Sequence, residues 1–218
     1  MKIYTGITGG AKLQKVIGYG LGTMVSPSPT RQPSKDLSKT SCALDNGAFR
    51  CWQRGYPFME SFFLRCIEKC YEVGIDLDFI VCPDIVMGGI ESLNFSMEYS
   101  ATTLKTARNL ALAVQDGIKP HHVEREQLNN FSHIFIGGSV EWKWNTAEQW
   151  VDYAHSKGLK CHIGRCGTLE RLRHAMDIGA DSTDSTSIAR NDSWHIIEEL
   201  KNEKTLFGTG TEVSQNDS

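Results

Sequence analysis

Two carboxylates lie three residues apart in the stretch Gly179–Thr186, which reads GADSTDST. They are Asp181 and Asp184, and they follow an amphipathic segment that ends at Ile178, a pattern typical of a helix followed by a short strand. A carboxylate at the end of a buried strand can serve as a nucleophile or as an acid–base group. The spacing leaves the two acids equivalent, and it also fits a solvated loop before a helix cap.

Other polar residues follow predicted strands in the same way. Asp45 comes directly after the short apolar run Cys42–Leu44, and Asp84 ends the run that begins at Leu77. Further along, two more apolar runs end in Gln115 and in the glycine pair Gly137 and Gly138. In a parallel barrel the carboxyl ends of all strands surround one pocket, so we expect these groups to meet there. Asp45-Asn46-Gly47 alone is also an ordinary turn signal.

The elements that would position these residues alternate short apolar runs with amphipathic segments. The predicted strands are residues 2–7, 15–24, 42–44, 77–84, 110–117, 133–136, 160–163 and the stretch around 179–186. The predicted helices are residues 58–73, 97–110, one capped by Thr146, one capped by Thr168, and 194–200. This pattern predicts an α/β fold, a compact single (β/α)8 TIM-like barrel spanning residues 1–218, with a flexible loop at 26–41 and a polar tail at 208–218. An open doubly wound sheet is the alternative, but no GxGxxG motif follows the first strand.

Composition limits the partners and the compartment. The chain has 218 residues and a formal net charge of -3, so a nucleic-acid partner would have to bind a local basic patch. Seven scattered cysteines predict reduced thiols, and the absence of CxxC and HExxH motifs predicts no metal site and no cofactor. Neither a signal peptide nor a membrane span is visible, so we expect a cytoplasmic protein without a membrane partner.

Several short motifs, in order, resemble those of the queuine-type tRNA-guanine transglycosylases. Leu44–Phe49 (LDNGAF) resembles the family's aspartate-serine-glycine-glycine-phenylalanine motif, and Val114–Gly117 (VQDG) resembles its valine-glutamine-glycine strand. Ile136-Gly137-Gly138 resembles the glycine-pair loop, and Gly179–Ser185 resembles the glycine-x-aspartate-x-x-aspartate-cysteine stretch that holds the nucleophile. Arg190-Asn191 matches the arginine that closes that stretch. Each motif alone is weak, and the signal comes from their order.

The resemblance implies a role for each matching residue. Asp184 would attack the anomeric carbon of a guanosine and form a covalent glycosyl-enzyme, and Asp45 would be the general acid and base. Three further groups would read the purine edge: the Asp84 carboxylate, the Gln115 amide and the backbone of the Gly137-Gly138 pair. Asn46 stands where the family has a base-contacting serine. No cofactor is implied.

The chain also departs from this family, because it lacks the CxCxxC motif and the distant histidine of the C-terminal zinc subdomain. The resemblance is therefore closest to the zinc-less deazapurine DNA-modification enzymes of the DpdA type, known from phages and bacterial islands. These exchange guanine in DNA for 7-cyano-7-deazaguanine (preQ0) or a derivative. The implied partners are DNA and a 7-deazaguanine base, and for a phage-encoded protein the compartment would be the host cytoplasm. A tRNA, a free nucleotide, a partner protein and a homodimer stay open.

Two other function classes fit parts of the sequence. The stretch Gly164–Thr168 before a helix suits an anion and favours a phosphate-handling isomerase or aldolase, with Arg165 as a contact. Arg165 and Arg190 near strand ends would bind phosphates of either a sugar phosphate or a nucleic acid. A non-catalytic barrel that binds a modified base is the third hypothesis. It predicts binding without turnover.

Overall fold

The chain folds into a closed barrel of eight parallel strands, which we describe from a computed structural model. The structure describes residues 1–207, without the side chains of residue 125 and residues 204–207, so the predicted polar tail at 208–218 lies outside the described residues. The strands are β1 (Lys2–Gly6), β2 (Gly22–Val25), β3 (Cys42–Leu44), β4 (Leu77–Val81), β5 (Leu110–Val114), β6 (Phe131–Ile136), β7 (Lys160–Ile163) and β8 (Ser182–Asp184). β8 closes the barrel on β1, with Tyr4 opposite Asp184. The prediction of a single (β/α)8 TIM-like barrel is confirmed.

Helices follow most strands and cover the outside of the barrel. They are α1 (Gly10–Gly18), α2 (Ala48–Gln53), α3 (Glu60–Glu72), α4 (Gly89–Ala101), α5 (Val140–Ser156), α6 (Leu169–Asp177), α7 (Thr186–Arg190) and α8 (His195–Phe207). Their buried positions recur at three and four, as in α5, where Ala147, Trp150, Val151 and Ala154 face the barrel. Packing of this apolar stripe against the strands, more than helix propensity, holds each helix in place.

Three predicted elements are wrong in detail. The run 15–24 is a helix end and a strand, because Leu13 and Val16 form the buried face of α1 and the turn at Gly20 has a φ of +67°. The helix predicted over 97–110 is α4, which lies at Gly89–Ala101. Thr146 does not cap α5: its hydroxyl donates to the Trp142 carbonyl inside the helix, and Ser139 is the cap, accepting from the Trp142 N–H.

The other local predictions have mixed outcomes. Thr168 caps α6 as predicted, with its hydroxyl accepting from the Arg171 N–H. The loop at 26–41 contains a 3-10 helix at Lys35–Lys39 that buries Leu37, and its predicted flexibility stays a prediction. All seven cysteines are free thiols, as predicted. No helix in residues 1–207 has the length and hydropathy needed to span a bilayer.

The barrel interior is partly polar. Its apolar cluster consists of Tyr4, Met24, Ala43, Phe79, Val81, Ala111 and Ala113. Two buried histidines, His133 and His162, join this layer, with ring centroids 4.6 Å and 5.1 Å from that of Phe79. The Tyr4 hydroxyl donates to Asp78 at 2.7 Å. Aromatic and imidazole rings therefore fill part of the barrel interior, and the residues of this layer are buried.

Candidate active site

A cavity of about 630 Å³ opens at the carboxyl ends of the strands. The predicted site residues that line it are Asp45, Asn46, Asp84, Gln115, Gly137, Gly138, Arg165 and Asp184. Arg190 is not among the lining residues: it is exposed at the end of α7, and its carbonyl accepts from the Lys12 ammonium of α1. The short helix that follows β8 therefore carries Arg190 away from the cavity. The structure brings together eight of nine predicted residues.

The two acids of the opening stretch lie at opposite ends of β8. Asp181 precedes the strand, and its Oδ2 accepts from the Cys161 N–H at 2.7 Å and pairs with His155 Nε2 at 2.9 Å. Asp184 ends the strand and lines the cavity. Because β8 has only three residues, the three-residue spacing places Asp181 just before the strand and Asp184 at its carboxyl end. The two acids are therefore not equivalent in the structure. Asp181 ties β8 to β7 and to α5.

The carboxylate of Asp184 is held through one oxygen. Its Oδ1 accepts from the Arg165 N–H at 3.0 Å and lies 3.2 Å from His162 Nε2. Arg165 adopts the left-handed conformation with a φ of +62°, and the Cys166 N–H donates to the Asp184 carbonyl. Within residues 1–207, Oδ2 has no recorded hydrogen-bond partner. Asp184 is 8% exposed, so this second oxygen is the one presented to a ligand.

His162 and Lys143 support this arrangement; the strand position of His162 predicts a core or pocket-wall histidine, and the sequence assigns Lys143 no role. His162 is fully buried, stacks on Phe135 at 4.9 Å, and its Nδ1 lies 2.8 Å from the Ser182 hydroxyl. Burial lowers the pKa of His162, so the neutral ring donates its Nε2–H to Asp184 when Nδ1 accepts from Ser182. Lys143 is buried in α5 and donates to the Gly164 carbonyl; burial lowers its pKa to about 8.

The pKa of the Asp45 carboxyl in this cavity is raised above the ordinary aspartate value. Burial, with the nearby charges of Asp184 and Asp84, raises the pKa of Asp45 to about 6. Its Oδ2 accepts from the Ser26 hydroxyl at 3.2 Å. A carboxyl with a pKa near neutrality exchanges protons readily under physiological conditions, which is what a general acid and base requires.

Asp84 is fixed by two side-chain amides. Asn46 Nδ2 donates to its Oδ1 at 2.7 Å and also to the Cys82 carbonyl at 2.9 Å, while Asn46 Oδ1 accepts from the Ala48 N–H. Gln115 Nε2 donates to Asp84 Oδ2 at 3.2 Å. Burial raises the pKa of Asp84, although these hydrogen bonds oppose the shift. The remaining acceptor sites of the carboxylate are available to the cavity.

The Gln115 amide is used within the protein. Besides Asp84, its Nε2 donates to the Ile85 carbonyl at 2.8 Å and contacts the Ser92 hydroxyl at 2.7 Å. Its Oε1 accepts from the Met87 N–H at 2.7 Å. The Gln115 amide, which the resemblance assigns to the purine edge, is therefore engaged by Asp84 and by the loop after β4. In this structure Gln115 positions Asp84 and that loop.

Replacing Gln115 by methionine tests this network through stability. The substitution keeps the side-chain volume and removes the amide, leaving the Met87 N–H and the Ile85 carbonyl without their partner. We expect the free energy of unfolding, measured by chemical denaturation, to fall by about 1–3 kcal/mol. The exposed Gln149 of α5 is the matched control, and its replacement by methionine should change stability by less than about 0.5 kcal/mol. Equal effects would contradict the assignment.

The absence of a side chain at Gly138 allows its backbone to lie close to Asp116 and Trp142. Gly138 has a φ of +70°, and a Cβ there would lie 2.6 Å from Asp116 Oδ2 and 2.7 Å from Trp142 Cε3. Asp116 in turn accepts from the N–H and the hydroxyl of Ser139, which fixes the loop at the start of α5. The Gly138 N–H has no recorded partner in the described part of the chain, so it can donate to a ligand. Trp142 is partly buried and packs on the core.

Part of the loop after β7 already forms hydrogen bonds within the protein. Its Arg165 and Cys166 N–H groups donate to the side chain and the carbonyl of Asp184, and the Thr168 hydroxyl caps α6. The Arg165 guanidinium donates to the Gly138 carbonyl and lies over the Phe49 ring at 4.2 Å. The Arg165 and Cys166 N–H groups are therefore not free to bind an anion, and the phosphate-handling hypothesis for Gly164–Thr168 stays a prediction. In residues 1–207 no group of three or more His, Cys, Asp or Glu side chains is placed to hold a metal ion.

The fold and the cavity together define a (β/α)8 barrel with three carboxyl groups at its carboxyl-end opening. Neither a protein-family model nor a curated protein matches this chain. The resemblance to the tRNA-guanine transglycosylases therefore rests on the short motifs alone and stays a hypothesis.

Proposed function

We propose that the protein is a guanine transglycosylase that exchanges guanine in DNA for 7-cyano-7-deazaguanine or a derivative, through a covalent aspartyl-glycosyl intermediate. One observation supports this most strongly: Asp184, Asp45 and Asp84 line the same cavity in three different environments. Asp184 has a free carboxylate oxygen, Asp45 has a pKa of about 6, and Asp84 is held in place by amides. Base exchange needs a nucleophile, a group that donates and accepts protons, and a group that binds the base, and these environments suit those three roles in that order.

The first step forms the glycosyl-enzyme. Asp184 Oδ2 attacks the anomeric carbon of the target deoxyguanosine, and the bond from that carbon to the guanine nitrogen breaks as the ester forms. The Arg165 N–H and the neutral His162 ring keep Oδ1 engaged, so the carboxylate does not have to reorganise. Fixed donors of this kind lower the cost of bringing a carboxylate to the reacting carbon.

Asp45 then balances the protons. It gives its proton to the departing guanine and later accepts the ring N–H proton of the incoming deazaguanine, whose nitrogen attacks the anomeric carbon and releases Asp184. Guanine leaves with the proton that Asp45 supplied, and Asp45 recovers a proton from the new base. A pKa of about 6 allows both transfers near neutral pH.

Asp84 and Gly138 recognise the base. The ring N–H and the exocyclic amine of a guanine-like base both donate, so they match the Asp84 carboxylate that Asn46 and Gln115 hold. The Gly138 N–H would donate to the purine oxygen. Both guanine and 7-cyano-7-deazaguanine have this edge, which allows one site to bind the outgoing and the incoming base in turn. We expect the protein to work in the cytoplasm, where such a DNA substrate occurs.

The experiment supplies isotopically labelled 7-cyano-7-deazaguanine to the protein together with guanine-containing DNA, tRNA or free deoxyguanosine nucleotides. We expect label to enter DNA, with release of one guanine for each base incorporated. Label in tRNA or in the nucleotide instead would keep the chemistry and change the substrate. Binding of the deazaguanine without incorporation into any of them would favour a non-catalytic base-binding barrel.

A further inference from the structure

A second, smaller cavity of about 330 Å³ adjoins the catalytic cavity. Asn46 and Arg50 line both cavities, so the two are adjacent. The second cavity lies against α2 and the segment that follows it, with Arg54 and Tyr56 among its walls. A ligand longer than one nucleoside could therefore extend from the catalytic carboxylates into this space.

The segment 48–59 (AFRCWQRGYPFM) is locally basic in an otherwise acidic protein. It contains Arg50 and Arg54 and no aspartate or glutamate, whereas the whole chain has a formal net charge of -3. Both arginines are exposed, and in residues 1–207 neither guanidinium has a recorded ion pair or hydrogen bond. They lie four residues apart, at helix spacing. Two unpaired guanidinium groups beside a cavity suit phosphate oxygens.

Flat groups are stacked along the same helix. The Arg165 guanidinium lies 4.2 Å from the centroid of Phe49, and the Phe49 and Trp52 rings stack at 5.7 Å with an interplanar angle of 27°. Trp52 is 51% exposed and Tyr56 is 60% exposed. The stack thus begins at the loop that holds Asp184 and ends in an aromatic surface open to solvent, on which a further flat group can stack.

We propose that α2 and the second cavity bind the nucleotide next to the target guanine in unpaired DNA. Its base would stack on Trp52, which lines the catalytic cavity beside the second one, and its phosphates would bind Arg50 and Arg54. A nucleotide supplies both a flat base and an anion, while an apolar protein segment would leave the two guanidinium groups unpaired. The choice of DNA rests on the proposed function; the stacking surface and the free arginines do not.

Binding of a fluorescein-labelled single-stranded DNA of about twelve nucleotides with one guanine tests the arginines. The variant with Arg50→Gln and Arg54→Gln should bind at least about tenfold more weakly, and the slope of log Kd against log salt should fall by about 1.4, the value for two lost phosphate contacts on a single strand. The control replaces Arg108 and Lys160 by glutamine. Both are exposed and lie just before or at the start of β5 and β7, at the other end of the barrel. Equal losses in the two double variants would overturn the proposal.

Trp52 provides a second, independent test. It is the most exposed of the tryptophans whose fluorescence the DNA could quench, since Trp150 and Trp194 are buried and Trp142 and Trp144 are partly buried. Trp52→Ala should weaken binding about tenfold, as expected for one lost base stack, while Trp52→Phe should restore binding and abolish most of the quenching. Wild-type affinity in Trp52→Ala would contradict stacking at this helix.

Exchange kinetics separate this proposal from the proposed function. If both hold, the arginine variant lowers kcat/KM mainly by raising the KM for the oligonucleotide, because the helix contacts bind ground state and transition state alike. DNA binding that depends on Arg50 and Arg54 without any incorporation of label would refute the exchange reaction and keep the binding surface. Incorporation that is indifferent to both substitutions would refute the surface and keep the reaction.

Discussion

Replacing Asp184 by asparagine is expected to lower guanine exchange by at least about 10⁴-fold and to abolish the covalent glycosyl-enzyme. The amide keeps the shape of the side chain and can still contact His162 and the Arg165 N–H, but a neutral amide is a poor nucleophile for the anomeric carbon. The measurement is incubation with guanine-containing DNA and a base analogue, followed by denaturing mass spectrometry for a covalent adduct. Label incorporation gives the rate.

The matched control is Asp181→Asn. It makes the same chemical change three residues away, at the other end of β8, where Asp181 bonds to the Cys161 N–H and to His155. We expect a modest loss of stability, about 1–2 kcal/mol, and unchanged exchange in the folded protein. Unimpaired exchange by Asp184→Asn would end the hypothesis of a covalent aspartyl intermediate, and equal loss in both variants would point to a structural defect in β8.

The different fates of Asp181 and Asp184 show what the sequence could and could not predict. Residue types and spacing identified both acids, and the motif resemblance favoured the second. The reason for the difference is three-dimensional: β8 is only three residues long, so one acid sits at each end of the barrel. Spacing in the sequence does not contain that information unless the strand boundaries are known.

The barrel was predictable because its periodic elements are strongly patterned. Strands such as Leu110–Val114 are buried at every position, as expected for a parallel sheet covered on both faces, and α3 and α5 have clear apolar stripes. The prediction is wrong between β1 and β2, where the run Lys15–Met24, interrupted by Gly18, Gly20 and Gly22, predicts a strand and no helix. Val16 belongs to a helix and Met24 to a strand, and the positive φ of Gly20 that separates them is not visible in hydropathy.

The supporting residues of the site could not be predicted in the same way. His162 and Lys143 act through burial and through partners distant in sequence, Asp184 and the Gly164 carbonyl, so no local pattern marks them. Gln115 follows a strand and lines the cavity, as the sequence predicts. Its amide oxygen accepts from the Met87 N–H and its amide nitrogen donates to the Ile85 carbonyl, so the amide binds the loop after β4. A site residue can be located from a strand end, whereas the direction of its hydrogen bonds depends on neighbouring loops.

Asp45→Asn is expected to change how both exchange and stability depend on pH. In the wild-type protein, formation of the glycosyl-enzyme should fall about tenfold per pH unit above pH 6, because the protonated form of Asp45, with its pKa of about 6, supplies the proton to guanine. The variant should form it about 10²–10⁴-fold more slowly and without this pH dependence. Single-turnover guanine release measured between pH 5 and pH 8 gives both profiles.

The same substitution is expected to raise stability while it lowers the exchange rate. An effect on the chemistry can therefore be distinguished from an effect on folding. The pKa of Asp45 is raised in the folded state by burial and by Asp184 and Asp84, so the folded protein binds a proton that the unfolded chain releases near pH 4. Stability therefore declines as pH rises from about 4 to about 6, and Asp45→Asn should be more stable than wild type by about 1–2 kcal/mol at pH 7. Chemical denaturation at pH 4, 5, 6 and 7 measures this, with the exposed Asp152→Asn as control. A destabilised, inactive Asp45→Asn would argue for a structural role, whereas a more stable and inactive one supports a carboxyl retained for proton transfer.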